Sequence, residues 1–158
     1  MGENPKLSKG DDAPDFELES DDSGRVSLSD FAGQKLVLYF YPRDMTPGCT
    51  TEACDFRDNL ETFQQEGWSV VGVSPDEVDD HQEFRQKYDL NFPLLADSDN
   101  EVAKAYGVWR EKQTFGNTYE GIVRSTFLID EEGEIIEIFD NVRATGHVER
   151  LLRDMPDD

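Results

Sequence analysis

The chain has 158 residues, of which 36% are hydrophobic and 11% aromatic, enough for one domain with a real core and unlike a disordered acidic tail. Its 36 acidic residues against 15 basic ones leave a formal net charge of -21, with no basic stripe to meet phosphates, so nucleic-acid binding is excluded. No apolar run approaches the roughly 18 residues needed to span a bilayer, and MGENPKLSKGDDAPDF lacks the apolar stretch of a secretory signal, so no membrane partner and a cytoplasmic location are expected.

In chain order, DFELES and RVSLSDF read as short strands separated by the turn residues DDSG. KLVLYFY is a continuous apolar and aromatic run, the pattern of a central strand buried on both faces. From Thr50 to Gln65, Ala53, Phe56, Leu60 and Phe63 recur at three- and four-residue spacing and predict a helix, with Gly67 as its stop. WSVVGVS predicts another buried strand. SPDEVDDHQEFRQKY predicts a helix with Pro75 in its first turn, acids early and bases late. NEVAKAYGV predicts a shorter helix, IVRSTFLID and EIIEIF a hairpin through EEG, and GHVERLLRDM a closing helix. Strands alternating with helices, then a hairpin and a helix, predict a mixed-sheet α/β fold forming a single domain over residues 1–158. Phe40, Phe56, Trp68, Phe92 and Phe127 are expected in the core.

The two cysteines, Cys49 and Cys54, lie in YFYPRDMTPGCTTEACDFRDNL, where an apolar strand gives way to a turn that opens a helix. Cys49 falls where that helix begins. A thiol there meets partial positive charge and unpaired backbone N–H donors, which favour the reactive thiolate. Across proteins generally, cysteines are more often small buried hydrophobes. A zinc site has little support, because C-x-x-x-x-C is not the usual spacing and His81 and His147 are isolated; both histidines are expected to be solvated. GVWREKQTFGNTYEG has scattered glycines outside any strand–G-x-G-x-x-G–helix context, so no bound cofactor is expected.

The pattern P-x-x-x-T-x-x-C, here Pro42, Thr46 and Cys49 in PRDMTPGC, resembles the active site of the peroxiredoxins. CTTEAC, with Cys54 five residues after Cys49, is similar to the peroxiredoxin Q, or bacterioferritin comigratory protein, group. Arg124 in GIVRSTFLID matches the family's arginine, and the similarity runs from APDFEL through FDNV. The resemblance implies a thioredoxin-like fold with an N-terminal β-hairpin, and reduction of hydrogen peroxide and organic hydroperoxides to water and alcohols. It implies Cys49 as the peroxidatic nucleophile, Cys54 as the resolving thiol, and Pro42, Thr46 and Arg124 as the residues around them. It also implies a Cys49–Cys54 disulfide in the cycle, a thioredoxin-like reductant and a monomer.

Geometry adds a condition. In one regular helix, five residues give about 140° of rotation and about 7.5 Å of rise, so the two Cα atoms stand about 8.6 Å apart. A disulfide tolerates roughly 7 Å, so bridging requires the helix to unwind locally. Thr46 also fits a plain N-cap, Arg124 a surface strand position, and Trp109 and Phe115 either line the peroxide approach or pack. Two rival classes stand beside the peroxidase: a protein thiol–disulfide oxidoreductase on a similar fold, which would normally carry C-x-x-C, and a non-catalytic acidic binding module.

The acids are spread along the chain in DDAPDFELESDD, SPDEVDD, DEEGEIIEI and RDMPDD. A basic partner would more naturally meet one acidic block. Even spreading favours adaptation to molar salt, where self-repulsion is screened within about 3 Å. Salt adaptation predicts a higher denaturation midpoint in about 2 M than in about 0.1 M KCl; a midpoint that does not rise counts against it.

Overall fold

The computed structural model describes residues 7–21, 24–114 and 116–154. Asp22 and Ser23 of the DDSG turn, Phe115, and Met155 of the last expected helix lie outside them. Glu17–Ser20 (β1) and Arg25–Ser27 (β2) pair antiparallel as an N-terminal hairpin. Leu28–Phe31 does not continue β2 but forms a short 3-10 turn. There the Asp30 carboxylate accepts the Ser27 N–H at 2.9 Å and bends the chain away. Lys35–Phe40 (β3) follows, then Pro47–Gln65 (α1), Trp68–Ser74 (β4), Val78–Tyr88 (α2) and Leu94–Ala96 (β5). Glu101–Ala105 (α3) leads to Trp109–Thr114 (β6) and Asn117–Ile122 (β7), then Ser125–Ile129 (β8), Ile135–Phe139 (β9) and His147–Asp154 (α4).

Seven strands form one sheet in the order β2-β1-β5-β4-β3-β8-β9. The unbroken apolar run of β3 lies inside it, buried at every position, between a parallel β4 and an antiparallel β8. β8 and β9 make the expected hairpin. Strand alternation sends the side chains of β3 to two cores. Leu36, Leu38 and Phe40 join Val73, Tyr106 and Phe127 on one face. Val37, Tyr39 and Tyr41 join Phe56, Phe84 and Val148 on the other, so α1, α2 and α4 cover that face. Phe40, Phe56, Trp68, Phe92 and Phe127 are all buried, as expected, and half-buried Trp109 packs against the first core.

Several boundaries differ from the sequence expectation. Helix α1 begins at Pro47, not Thr50, because proline already has helical φ and no N–H to leave unpaired. Helix α2 begins at Val78 and leaves Pro75 outside it. The short β5 and the β6–β7 hairpin, which forms its own two-stranded sheet, were not expected. The overall result is the mixed α/β fold with an N-terminal hairpin that the sequence implied.

One contact links the sheet to the helix that carries the cysteines. Tyr39 pairs in register with Gly72 of β4, and its ring stacks on Phe56 of α1 with centroids 4.5 Å apart. A Cβ on Gly72 would stand 2.8 Å from Tyr39 Cζ, so only glycine lets the ring lie there. Gly72→Ala is therefore expected to lower the unfolding free energy by about 1–3 kcal/mol, measured by urea denaturation; an unchanged midpoint would show that the ring moves freely.

Candidate active site

The site grows from the junction of β3 and α1. After β3 the chain passes through buried Tyr41 and half-buried Pro42 to Thr46, whose extended backbone (φ -73°, ψ 152°) caps α1. The Thr46 hydroxyl donates to the Arg43 carbonyl at 2.8 Å, tightening the loop. Cys49 is the third residue of the helix and only 2% exposed. It therefore sits among the backbone N–H groups that have no partner within the helix, at the positive end of the dipole.

Arg124 stands immediately before β8, and its own carbonyl accepts the Val142 N–H at 2.9 Å. Antiparallel pairing of β8 with β3 brings it alongside the start of α1. Its Nη2 donates to Cys49 Sγ at 3.3 Å, and its Nη1 donates to Glu52 Oε1 at 2.5 Å. Glu52 lies three residues after Cys49, one turn along the same helix face, and is fully buried. A Cβ on Gly48 would stand 3.1 Å from Arg124 Nη2, so the glycine makes room for the guanidinium. Burial opposes the Arg124 charge, but Glu52 and Cys49 outweigh it and hold the guanidinium more firmly protonated than usual. Burial pushes the Glu52 carboxyl up to about 7 against the pull of Arg124. Its second oxygen, Oε2, has no hydrogen-bond partner, which adds to the cost of the ionised form.

Cys54 lies further along α1, half-buried and not bonded to Cys49. Burial pushes its thiol up, and Asp58 and Asp55 add to this against Arg57. The structure thus joins Cys49 to Arg124 directly, whereas Pro42 lies in the preceding loop and Thr46 at the helix cap with its hydroxyl on the Arg43 carbonyl. Glu52 was missed by sequence reasoning. Its three-residue offset from Cys49 was the one available signal.

The two histidines are not solvated. His81 is 0% and His147 1% exposed. They are isolated in sequence but partnered in space: His81 between Asp44 and the Leu95 carbonyl, His147 against the Thr126 hydroxyl at 2.8 Å. Burial, then the charges of Arg150 and Arg124, hold His147 down to about 4.

Glu52 gives a pH signature. Between the ordinary 4.5 and about 7, the folded protein keeps a proton that the unfolded chain has released, so this group makes stability fall as pH rises. Relative to wild type, Glu52→Gln is expected to gain up to about 3 kcal/mol across that window. Denaturant unfolding of both reduced proteins at several pH values tests this, and a difference that stays flat with pH would refute it.

The AhpC/TSA family profile matches residues 9–138. The chain is 49% identical to peroxiredoxin Bcp of Bacillus subtilis over 148 residues, 94% of each protein. It is 45% identical to peroxiredoxin Bcp of Escherichia coli over 146 residues, 92% of this chain and 94% of that one. Among solved structures, a mutant of the Xylella fastidiosa PrxQ superposes with a TM-score of 0.88 at 39% identity, covering 94% of this chain and 95% of that one. The Xanthomonas campestris bacterioferritin comigratory protein, solved to explain its alkyl peroxide reduction activity, superposes with a TM-score of 0.83 at 38% identity, covering 87% and 88%. Among the described residues no helix is long and apolar enough to cross a membrane. With its buried cysteine at a helix start beside an arginine, the chain belongs to the AhpC/TSA family, together with the peroxiredoxins of the Bcp and Q type, which are thioredoxin-dependent thiol peroxidases.

Proposed function

We propose that Cys49 is the peroxidatic nucleophile of this thiol peroxidase and Cys54 its resolving partner. The observation that carries this is the hydrogen bond from Arg124 Nη2 to Cys49 Sγ at the first turn of α1. The thiolate is the reactive form, and a guanidinium together with free helix N–H groups is complementary to a sulfur anion. The sulfur attacks one peroxide oxygen, the O–O bond breaks, and the departing oxygen takes up a proton to leave as water or an alcohol. Sulfur is oxidised to a sulfenic acid and the peroxide is reduced. Charge building on the departing oxygen is where Arg124, already against the sulfur, and the Gly48 and Cys49 N–H groups of the first turn contribute. Glu52 holds the guanidinium in place. Pro42 offers no N–H to compete for the sulfur.

The chain has only two cysteines, so Cys54 is the one internal thiol that can condense with the sulfenic acid, releasing water and forming a disulfide. Both lie in one unbroken helix, so the first turns of α1 must open for the sulfurs to meet. Gly48, Thr50 and Thr51 are weak helix formers and ease that opening. A thioredoxin-like dithiol then reduces the bridge through a mixed disulfide. The alkyl peroxide activity of the Xanthomonas relative supports organic hydroperoxides as substrates beside hydrogen peroxide. We also assign the chain to the cytoplasm, as a monomer.

The test is peroxide consumption by wild type, Cys49→Ser and Cys54→Ser. With dithiothreitol, Cys49→Ser is expected to lose all turnover, while Cys54→Ser keeps it; with thioredoxin, Cys54→Ser fails as well. A wild type that reduces protein disulfides yet ignores peroxide would instead make the chain a thiol–disulfide oxidoreductase.

A further inference from the structure

A second buried polar cluster lies outside the cysteine site but on the same loop. Asp44 and His81, with side chains 3% and 0% exposed, pair at 2.6 Å between Oδ2 and Nδ1. The other ring nitrogen of His81, Nε2, lies 2.9 Å from the Leu95 carbonyl of β5. A carbonyl only accepts, so Nε2 carries a proton. The opposite ring face meets a carboxylate, so a second proton lies between Nδ1 and Asp44. Burial works against charge on the ring, but Asp44, with help from the Leu95 carbonyl and Asp76, raises its proton affinity above the ordinary value. The second oxygen of Asp44 accepts the Tyr41 hydroxyl at 2.6 Å. The Asp44 backbone N–H donates to Asp76 Oδ2 at 2.7 Å, and Asp76 in turn accepts the Ser74 hydroxyl at 2.8 Å. Asp44, Asp76 and His81 offer atoms within 4.8 Å of one another, a spacing that suits a cation. All three side chains, however, already make hydrogen bonds within the cluster.

The position of this cluster gives it a consequence. Asp44 sits midway between Pro42 and Thr46; its bonds reach Tyr41 after β3, Asp76 after β4 and His81 of α2, and His81 in turn reaches β5. One residue later the anchoring ends. Met45 is 37% exposed and holds a left-handed backbone (φ 69°), a conformation that non-glycine residues rarely adopt. The chain is thus tied firmly up to Asp44 and strained at Met45, just before the helix that must open.

We propose that His81 is a positioning residue for the peroxide site: through Asp44 it fixes the loop that carries Pro42 and leads toward α1, and it holds that loop in place while α1 opens beyond the pivot at Met45. The proposal rests on the peroxidase reading.

The experiment isolates the first chemical step. In a Cys54→Ser background no internal disulfide forms, and stopped-flow mixing with hydrogen peroxide reads sulfenic acid formation alone. His81→Leu, which keeps bulk but cannot donate, is expected to slow that step about 100-fold, the usual consequence of roughly 1 Å of misplacement. His81→Asn puts an amide donor where Nδ1 stood and is expected to recover most of the rate. Asp44→Asn, which keeps shape but loses the carboxylate, should behave like His81→Leu. Thermal denaturation identifies which variants are folded at the assay temperature. A folded His81→Leu that reacts at the parental rate overturns the proposal, as does a folded His81→Asn that is no faster than His81→Leu. If His81→Leu does not fold, Asp44→Asn decides, and a parental rate there overturns it. Should the Cys54→Ser parent itself ignore peroxide, the peroxidase reading fails before this one is reached.

Discussion

One guanidinium organises the site. Arg124 divides its hydrogen bonds between a sulfur and a carboxylate, and it does so from inside the protein, where a charge without a partner is costly. The planar fork of arginine suits this, because its two donor groups are fixed relative to each other. Cys49 and Glu52 are held in the matching geometry by one helical turn. The rest of the local sequence follows from that arrangement. Gly48 has no side chain to block Nη2, Pro47 starts the helix where Cys49 will lie near its positive end, and the β3–β8 pairing brings the arginine to the helix start.

On the proposed mechanism the same helix must be stable in the reduced protein and open once Cys49 is oxidised. From Phe56 onward it is fastened: Phe56 and Phe63 are fully buried, and Arg57 donates to the Tyr88 carbonyl at 2.5 Å. Before Phe56 its hold is mixed. Ala53 and Glu52 are buried, but Cys54 and Asp55 are only half-buried, and Gly48, Thr50 and Thr51 have low helix propensity. Freeing Phe56 as well would forfeit about 1.5–3 kcal/mol of burial. The least costly opening therefore ends short of it. The upstream limit is set by Asp44 and its bonds, so the movable segment is bounded by anchored residues on both sides, which suits a step that must reverse in every cycle.

The framework was legible where burial dictates the residue type. The β3 and β4 runs and the spacing of α1 could be read because each buries an apolar face. The β6–β7 hairpin could not, since WREKQT and NTYEGI pair with each other at a polar surface and show no apolar alternation. The three residues of β5 are too few to carry a period. At the site, Cys49 and Arg124 were legible because a motif marks them. Glu52 was hidden among 36 acidic residues, since nothing local separates a buried carboxylate from an exposed one on a helix. The histidines were misjudged for a related reason. Their partners, Asp44 and Thr126, lie 37 and 21 residues away in sequence, so only the fold reveals them.

The large negative charge and the chemistry of the site are nearly independent. Among the described residues the buried acids are Asp21, Asp44, Glu52 and Asp97. Asp21 meets Arg85, Asp44 meets His81 and Glu52 meets Arg124, while Asp97 accepts the Val102 and Ala103 backbone N–H groups at the start of α3. Each buried carboxylate thus has a local partner, and among the described residues the other acids are in contact with solvent. Surface repulsion is screened by salt, but buried pairs are screened far less. Ionic strength therefore acts mainly on the exposed charges and much less on the Arg124–Cys49–Glu52 arrangement. This separation lets a chain carry such an acidic exterior around a cysteine that needs positive charge beside it.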